Sequence, residues 1–169
     1  VDFGYYPAVR HEVKFGANYI FHTFTPTSVS AKQGETTFDF GKVVKNKAHE
    51  AAVYVSDDFD VTDRIKLHAG LRYSYFMQIG PFDRYRKDPV NGQTTYIEHY
   101  KSNSNVADYG GLEPRINIRF ELNSKSSVKA SYTYNLQYIH LASLSAVTLP
   151  TDTWVPCSEL VKPQKGTQY

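Results

Sequence analysis

The chain has 169 residues, a formal net charge of +2, a mean hydropathy of −0.48 and an aromatic fraction of 15%. The near balance of positive and negative side chains argues against a nucleic-acid-binding protein. No stretch provides the roughly 18 apolar residues that a membrane-spanning helix needs. A membrane β-barrel stays open, because its lumen-facing residues are polar and lower the average hydropathy.

Alternation of apolar and polar side chains is the strongest pattern in the sequence. It predicts β-strands, because successive side chains of a strand point to opposite faces. The stretches that alternate are, in chain order, 11–24, 50–61, 64–76, 111–122 and 127–140. A shorter strand is predicted at 1–6, and 167–169 is expected to begin another. The register of 50–61 stays open, because Asp57 interrupts its apolar row.

Short and long connections alternate between these strands. The segments 60–64 and 123–127 are polar hairpin turns, whereas 25–47, 77–108 and 143–168 are long and are predicted to be irregular loops. Transmembrane barrels have short periplasmic turns and longer extracellular loops, and strands of roughly 12 to 14 residues can cross a bilayer. The sequence therefore predicts an all-β fold, a fragment of an antiparallel, up-and-down transmembrane β-barrel with about five full strands.

Five strands cannot close even a small barrel of about eight strands. An open sheet edge in lipid leaves backbone N–H and C=O groups without partners, and such edges do not occur there. We therefore expect residues 1–169 to be part of a β-barrel domain that continues outside this segment. No signal peptide is recognisable after Val1, and both ends are interpreted as cuts through a longer protein.

Four motifs follow one another from the third full strand of this pattern onward: AGLRYS at 69–74, EPR at 113–115, SLSAVTLPTDTWVP at 143–156 and KPQ at 162–164. In this order and spacing they resemble the β-barrel of TonB-dependent outer-membrane receptors. The likeness is to the kind that carries a carboxypeptidase-regulatory-like domain ahead of the plug. The resemblance implies a barrel of about 22 strands with an N-terminal plug. The plug and the TonB box are not in this segment, as expected for a piece from the middle of a barrel.

The resemblance implies a component of an active-transport receptor in the outer membrane of a Gram-negative bacterium, with no cofactor and no enzymatic activity. Such a receptor captures a siderophore, glycan or peptide ligand at the cell surface and imports it with energy delivered through TonB. The implied partners are outer-membrane lipid, the rest of the barrel, the plug domain, the TonB complex and the imported ligand, but no nucleic acid. The residues alone leave three alternatives: a soluble β-sandwich that binds carbohydrate, a passive outer-membrane channel, and an outer-membrane hydrolase.

Candidate ligand-binding residues are aromatic and hydrogen-bonding side chains of the long loops, since rings beside polar groups suit sugars, peptides or chelates. They are Tyr85, Arg86, Tyr96, His99, Tyr100 and Trp154. A second set lies in the polar rows and is expected to face the lumen, where its arginines would donate charge-assisted hydrogen bonds to the plug. This set is Arg72, Arg115, Arg119 and Lys129.

The sequence gives little indication of metal binding or catalysis. The six histidines are scattered without a metal-ligand spacing, so no metal site and no catalytic residue are predicted. The single cysteine, Cys157, is interpreted as a small loop residue. Tyrosines of the apolar rows are expected at the lipid headgroup level, where an amphipathic ring meets both acyl chain and water. These tyrosines are Tyr73, Tyr75, Tyr132, Tyr134 and Tyr138.

Overall fold

The computed structural model describes residues 1–25, 30–33, 36–39, 45–142 and 153–169, and its regular structure is β-strand throughout. The strands are β1 (Asp2–Ala8), β2 (His11–Phe24), β3 (Ser30–Gln33), β4 (Thr36–Asp39), β5 (Asn46–Thr62), β6 (Ile65–Ile79), β7 (Phe82–Lys87), β8 (Thr94–Tyr100), β9 (Asn105–Asn123), β10 (Ser126–Gln137), β11 (Ile139–Ala142), β12 (Thr153–Pro156) and β13 (Gln164–Gln168). No helix that is long and apolar enough to cross a membrane occurs in the residues described.

Seven strands form one antiparallel sheet in the order β1-β2-β5-β6-β9-β10-β13. Each strand pairs with the next long strand along the chain, which is the up-and-down connection predicted from the sequence. β2 has the predicted bounds, and β5, β6 and β9 run beyond theirs toward the long connections. The strands expected at 1–6 and near 167–169 are β1 and β13. The prediction of an antiparallel all-β barrel fragment is confirmed.

Three two-residue turns join the long strands at one end of the sheet, which we call the turn end. They lie at 9–10, 63–64 and 124–125. Thr62 Oγ1 accepts hydrogen bonds from the backbone N–H groups of Arg64 and Ile65 at 3.2 and 3.1 Å. Polar side chains that bond the backbone in this way stabilise tight turns. The short polar connections predicted at 60–64 and 123–127 are therefore confirmed as turns.

The long connections meet at the opposite end, the loop end, and the expectation that they are irregular is wrong where they are described. The segments 25–47 and 77–108 contain the two-stranded antiparallel sheets β3–β4 and β7–β8, and 143–168 contains β12, which pairs with β11 just before that segment. In the segment 77–108, β6 and β9 continue as strands at both ends and the β7–β8 hairpin lies between them. The described residues do not include 26–29, 34–35 and 40–44 of the first long connection or 143–152 of the third.

The two faces of the seven-stranded sheet differ sharply in chemistry. On one, the polar face, cross-strand neighbours include Asp58 with His68, Lys66 with Arg119, and Arg72 with Glu113. On the other, the apolar face, large hydrophobic side chains stand side by side and remain 43–56% exposed. They include Phe15, Val53, Val55, Leu71, Leu112, Ile116 and Ile118. A β-sandwich would bury such a face against a second sheet, and the described residues provide none, so the soluble-sandwich alternative is wrong for them.

The register of β5, which the sequence left open, follows from its pairing with β2 and β6. Val53 stands opposite Ala17 and Tyr73, which places it on the apolar face. Asp57 belongs to the same row and interrupts its apolar residues, two residues from Val55. Its Oδ2 accepts a hydrogen bond from His11 Nδ1 at 2.7 Å. The pair lies toward the turn end.

A buried cluster covers part of the polar face at the loop end. Its members are Ala48, Phe76, Tyr138 and Cys157, with Phe24, Tyr109, Leu136 and Ile139 packed around them. Tyr138 stacks on Phe76 with ring centroids 5.2 Å apart and an interplanar angle of 6°. The prediction that Tyr138 continues the exposed tyrosine row of the apolar face is therefore wrong, because the chain turns inward after β10.

Gly111 leaves room for the inward-turned segment on the polar side of β9. An added Cβ at Gly111 would lie 2.6 Å from Leu136 Cδ1, so the Leu136 side chain would have to shift to accommodate any other residue. β10 pairs with β9 only as far as Thr133 and Arg115, and it pairs with β13 beyond that point. The part of β10 that follows Thr133 is therefore not held by β9 and lies over the polar face.

Candidate functional site

The β7–β8 hairpin forms because its six-residue connection carries strong turn residues. Asp88 donates its backbone N–H to the Gln93 carbonyl at 2.8 Å, and its own carbonyl accepts from Gly92 at 2.9 Å. Asp88 Oδ1 also accepts the backbone N–H of Val90 at 2.8 Å. Gly92 has a φ of 70°, the left-handed region that glycine enters without steric cost. The hairpin is thus closed by its own sequence.

Cross-strand side-chain pairs hold the two strands of the hairpin together. His99 Nδ1 lies 2.6 Å from Asp83 Oδ1. The rings of Tyr85 and Tyr96 meet edge to face at 5.8 Å and 70°. Such aromatic and charged pairs between strands stabilise a two-stranded sheet. Burial, followed by the neighbouring Asp83 carboxylate, raises the pKa of the Tyr96 phenol.

A cleft of about 360 Å³ lies between this hairpin and the segment that follows β12. Its lining residues are Phe82, Arg84, Tyr85, Arg86, Ile97, Tyr100, Val106, Ser158, Glu159 and Leu160. Arg84 Nη2 forms an ion pair with Glu159 Oε2 at 2.9 Å, which joins the two walls. Tyr109 donates its hydroxyl to the Ser158 carbonyl at 2.7 Å, and this bond fixes the second wall to β9.

Three of the six predicted ligand-binding residues line this cleft, namely Tyr85, Arg86 and Tyr100. Tyr96 and His99 lie on the same hairpin but do not line the cleft, and they pair with Tyr85 and Asp83. Trp154 lies elsewhere, on β12 opposite Leu141, and is 55% exposed. The structure therefore brings half of the predicted set together and places Trp154 in a different hairpin.

Sequence reasoning missed the apolar half of the cleft, formed by Phe82, Ile97, Val106 and Leu160. The available signal was the Asn91–Gly92 pair, because an Asn-Gly turn between two strand-like runs predicts a hairpin. A register shift between Arg84 and Tyr85 then breaks strict alternation. Because of that shift, Arg84, Tyr85 and Arg86 all line the cleft although they are consecutive.

The four basic residues predicted to face the lumen share the polar face. Their pairings with neighbouring strands place them in register rows of that face. Arg72 Nε lies 3.9 Å from Glu113 Oε1, and Arg119 Nη2 lies 3.1 Å from Glu121 Oε1. Arg115 donates to Asn135 Oδ1 at 3.2 Å. Lys129 has no carboxylate within 4 Å among the described side chains, and what these cations contact outside this chain stays a prediction.

Near the turn end the polar face carries an ion network across three strands. Asp58 lies 2.7 Å from His68 Nδ1 and 3.4 Å from Lys14 Nζ, and Lys14 also lies 3.1 Å from Glu12. Of these groups, Glu12, Asp58 and His68 border a hollow of about 750 Å³, together with Lys66, Arg119 and Lys129. The hollow is wide and its lining carries both charge signs, as expected for a wall that faces water or another polar surface.

The carboxylate of Glu113 is buried in the middle of the polar face, with 5% of the residue exposed. Ser74 Oγ donates a hydrogen bond to Glu113 Oε1. The Tyr138 hydroxyl lies 2.8 Å from the same Ser74 Oγ. Because the serine hydrogen is given to the carboxylate, Tyr138 donates to Ser74, and a three-residue relay fixes the inward-turned chain to the wall.

Cys157 lies beneath the segment that follows β10 and is fully buried. Its backbone N–H donates to the Tyr138 carbonyl at 2.8 Å, and its Sγ lies 3.3 Å from His140 Nε2. Burial raises the pKa of the thiol to about 11. Within the part of the chain that the structure describes, no three His, Cys, Asp or Glu side chains are grouped to hold a metal ion.

In the comparison with protein families, residues 1–169 match the family described as TonB dependent receptor-like, beta-barrel. Comparison with curated proteins and with solved structures gives no match.

Proposed function

Because the chain belongs to the TonB-dependent receptor-like β-barrel family, we propose that it forms part of the wall of a receptor that captures a ligand at its loop end and imports it with energy delivered through TonB. Members of this family are transport receptors of the bacterial outer membrane rather than enzymes. The exposed apolar face carries the proposal, since its large side chains have no protein layer over them in the described residues. Hydrocarbon is the environment in which such a surface is stable.

Residues 1–169 are proposed to be a partial barrel domain, in a receptor of the type with a carboxypeptidase-regulatory-like domain before the plug. β1 and β13 each have one neighbour in the seven-stranded sheet. Unpaired strand edges are not tolerated in lipid, so further strands are proposed to pair with both. The polar face then lines the lumen. There Arg72, Arg115 and Arg119 would donate hydrogen bonds to the plug, and Lys129 would supply a further cation.

The loop end is proposed to face the cell surface and to contact the ligand, of siderophore, glycan or peptide type, through the β7–β8 cleft. The apolar lining with a few charged groups is typical of a ligand site. The family match supports a transport receptor over a passive channel or a hydrolase.

The test is deletion of 83–100 in the full-length receptor. Uptake of a ferric catecholate chelate, maltoheptaose and a tryptic peptide mixture would be measured in cells, with and without an uncoupler. The unaltered receptor is expected to import at least one probe, and the uncoupler is expected to stop that import. The deletion is expected to abolish surface binding of the same probe while surface labelling shows an unchanged amount of receptor. Normal binding by the deleted receptor would overturn the role of the cleft.

A further inference from the structure

The chemistry of the β7–β8 cleft narrows the class of ligand, and this inference rests on the proposed function. We propose that the cleft binds the carboxyl-terminal residue of a peptide whose last side chain is large and apolar. A volume of about 360 Å³ is at the small end for a ligand site, so it suits one end of a ligand rather than a whole one.

The apolar half of the cleft is prepared for a large side chain. Phe82 and Tyr100 stand opposite each other with centroids 6.4 Å apart, and Val106 forms a buried floor beside them. Leu160 stands at the rim and is 91% exposed. A bound aromatic or branched side chain would cover Leu160 and remove its surface from water, which is favourable at about 25 cal/mol per Å².

The charged half of the cleft contains two arginines and one glutamate, so one arginine side chain is left without a carboxylate partner among the described side chains. Arg84 is occupied by Glu159 at 2.9 Å and has Glu98 at 3.9 Å. Arg86 lines the same cleft and has no carboxylate within 4 Å among the described side chains. A planar guanidinium binds a carboxylate with two parallel hydrogen bonds, so a single terminal carboxylate complements Arg86.

The rest of the lining favours a peptide over the other two ligand types. A sugar presents many hydroxyls, whereas the lining has no Asn, Gln or Asp and its one acid is already paired with Arg84. A chelate with several anionic groups would meet only one unpaired cation. The β7–β8 sheet has two strands, so each has a free edge in the described structure. An extended peptide can bond such an edge through its backbone.

The test uses the purified full-length receptor in detergent and the probe N-acetyl-Gly-(4-fluoro-Phe), followed by ¹⁹F NMR titration. The free acid is expected to bind about tenfold more tightly than its carboxamide at low salt, because the amide cannot accept the charge-assisted pair. Arg86→Gln is expected to remove this tenfold preference without changing amide binding. Arg86→Lys keeps the charge and is expected to retain part of it. Arg64→Gln, at the turn end, is the matched control and is expected to change neither affinity.

Two further probes separate a peptide from other sources of the same chemistry. N-acetyl-Gly-Ala lacks the large side chain, and its affinity is read from competition with the fluorinated peptide acid. 3-(4-Fluorophenyl)propionate has the ring and carboxylate without a peptide backbone. Both are expected to bind at least fivefold more weakly than the peptide acid, on the order of one lost contact. Equal binding of acid and amide, an equal effect of Arg86→Gln on both, or equal binding of the propionate would overturn the proposal.

Failure here is distinguishable from failure of the proposed function. If deletion of 83–100 abolishes probe uptake while acid and amide bind equally, the cleft captures ligand but the ligand class is wrong. If uptake survives the deletion, the cleft has no part in capture whatever the peptide affinities are.

Discussion

Cys157 illustrates how position decides the chemistry of a single side chain. The sequence presents it as a loop thiol, and the structure buries it completely beneath the inward-turned chain. Burial disfavours the thiolate and raises the pKa to about 11 from an ordinary value of 9.0. Since the thiolate is the nucleophile and the metal ligand, the pair with His140 is a packing contact rather than a reactive centre.

Alkylation of Cys157 by iodoacetamide is expected to be about a hundredfold slower at pH 8 in the folded receptor than in urea, because two pKa units separate the thiols. The rate should rise with pH until about 11, which peptide-level mass spectrometry can follow. Between pH 9 and 11 the unfolded state loses a proton that the folded state keeps, so folding stability falls as pH rises. A rate that levels off near pH 9 would show an accessible thiol and contradict this environment.

At the scale of elements, alternation predicted strands well where one face is apolar and the other polar. It placed β2 at its observed bounds and located β5, β6, β9 and β10. It failed for β7 and β8, because the hairpin projects beyond the sheet and neither of its strands has a continuous apolar row. It also failed at Tyr138, where the alternation continues in sequence while the backbone leaves the sheet. Alternation records side-chain direction relative to the strand, not where the strand goes.

The candidate cleft was predictable only in part for the same reason. Tyr85, Arg86 and Tyr100 were identified from residue type, because exposed rings and cations are common in recognition. Glu159 is far from them in sequence, and only the fold brings it to Arg84. A single sequence carries no signal for a contact of that separation.

The junction of β10 and β11 depends on the hydroxyl of Tyr138. Tyr138→Phe keeps the stack on Phe76 but removes the donor to Ser74, and a buried hydrogen bond of this kind is worth about 1 kcal/mol. The full-length receptor is expected to lose roughly that stability in urea-dependent unfolding, read from heat-modifiable migration on gels.

Tyr132→Phe is the control for that substitution, since Tyr132 packs against Tyr169 at 5.7 Å and no hydrogen bond to its hydroxyl is found in the described residues. Equal effects of the two substitutions would argue against the relay through Ser74 and Glu113.

The whole molecule is organised by two faces that require different surroundings. One is a hydrophobic surface that no second layer of the described residues covers, and the other combines a charged hollow with a buried carboxylate. A water-soluble protein would have to cover the first, and a fully lipid-embedded one would have to neutralise the second. A barrel wall meets both requirements, since it separates lipid from an aqueous lumen.

Matched charge substitutions at one height of β2 and β5 test this assignment of faces. Val53→Arg puts a cation on the apolar face and is expected to cost about 2–4 kcal/mol if it lies near the bilayer midplane. Asn18→Arg puts the same cation on the polar face beside Ala52 and is expected to change stability little. Folded receptor recovered in lipid vesicles measures both, and similar losses would reverse or abolish the distinction.

The three two-residue turns restrict where the chain can change in length. A residue added to or removed from a strand next to such a turn would rotate every following side chain by half a turn, carrying arginines toward acyl chains and leucines toward water. A change in length within the hairpins at the loop end has no such effect, because these hairpins lie beyond the paired strands of the seven-stranded sheet. Relatives of this protein are therefore expected to vary in length almost entirely at the loop end, which is proposed to lie outside the cell.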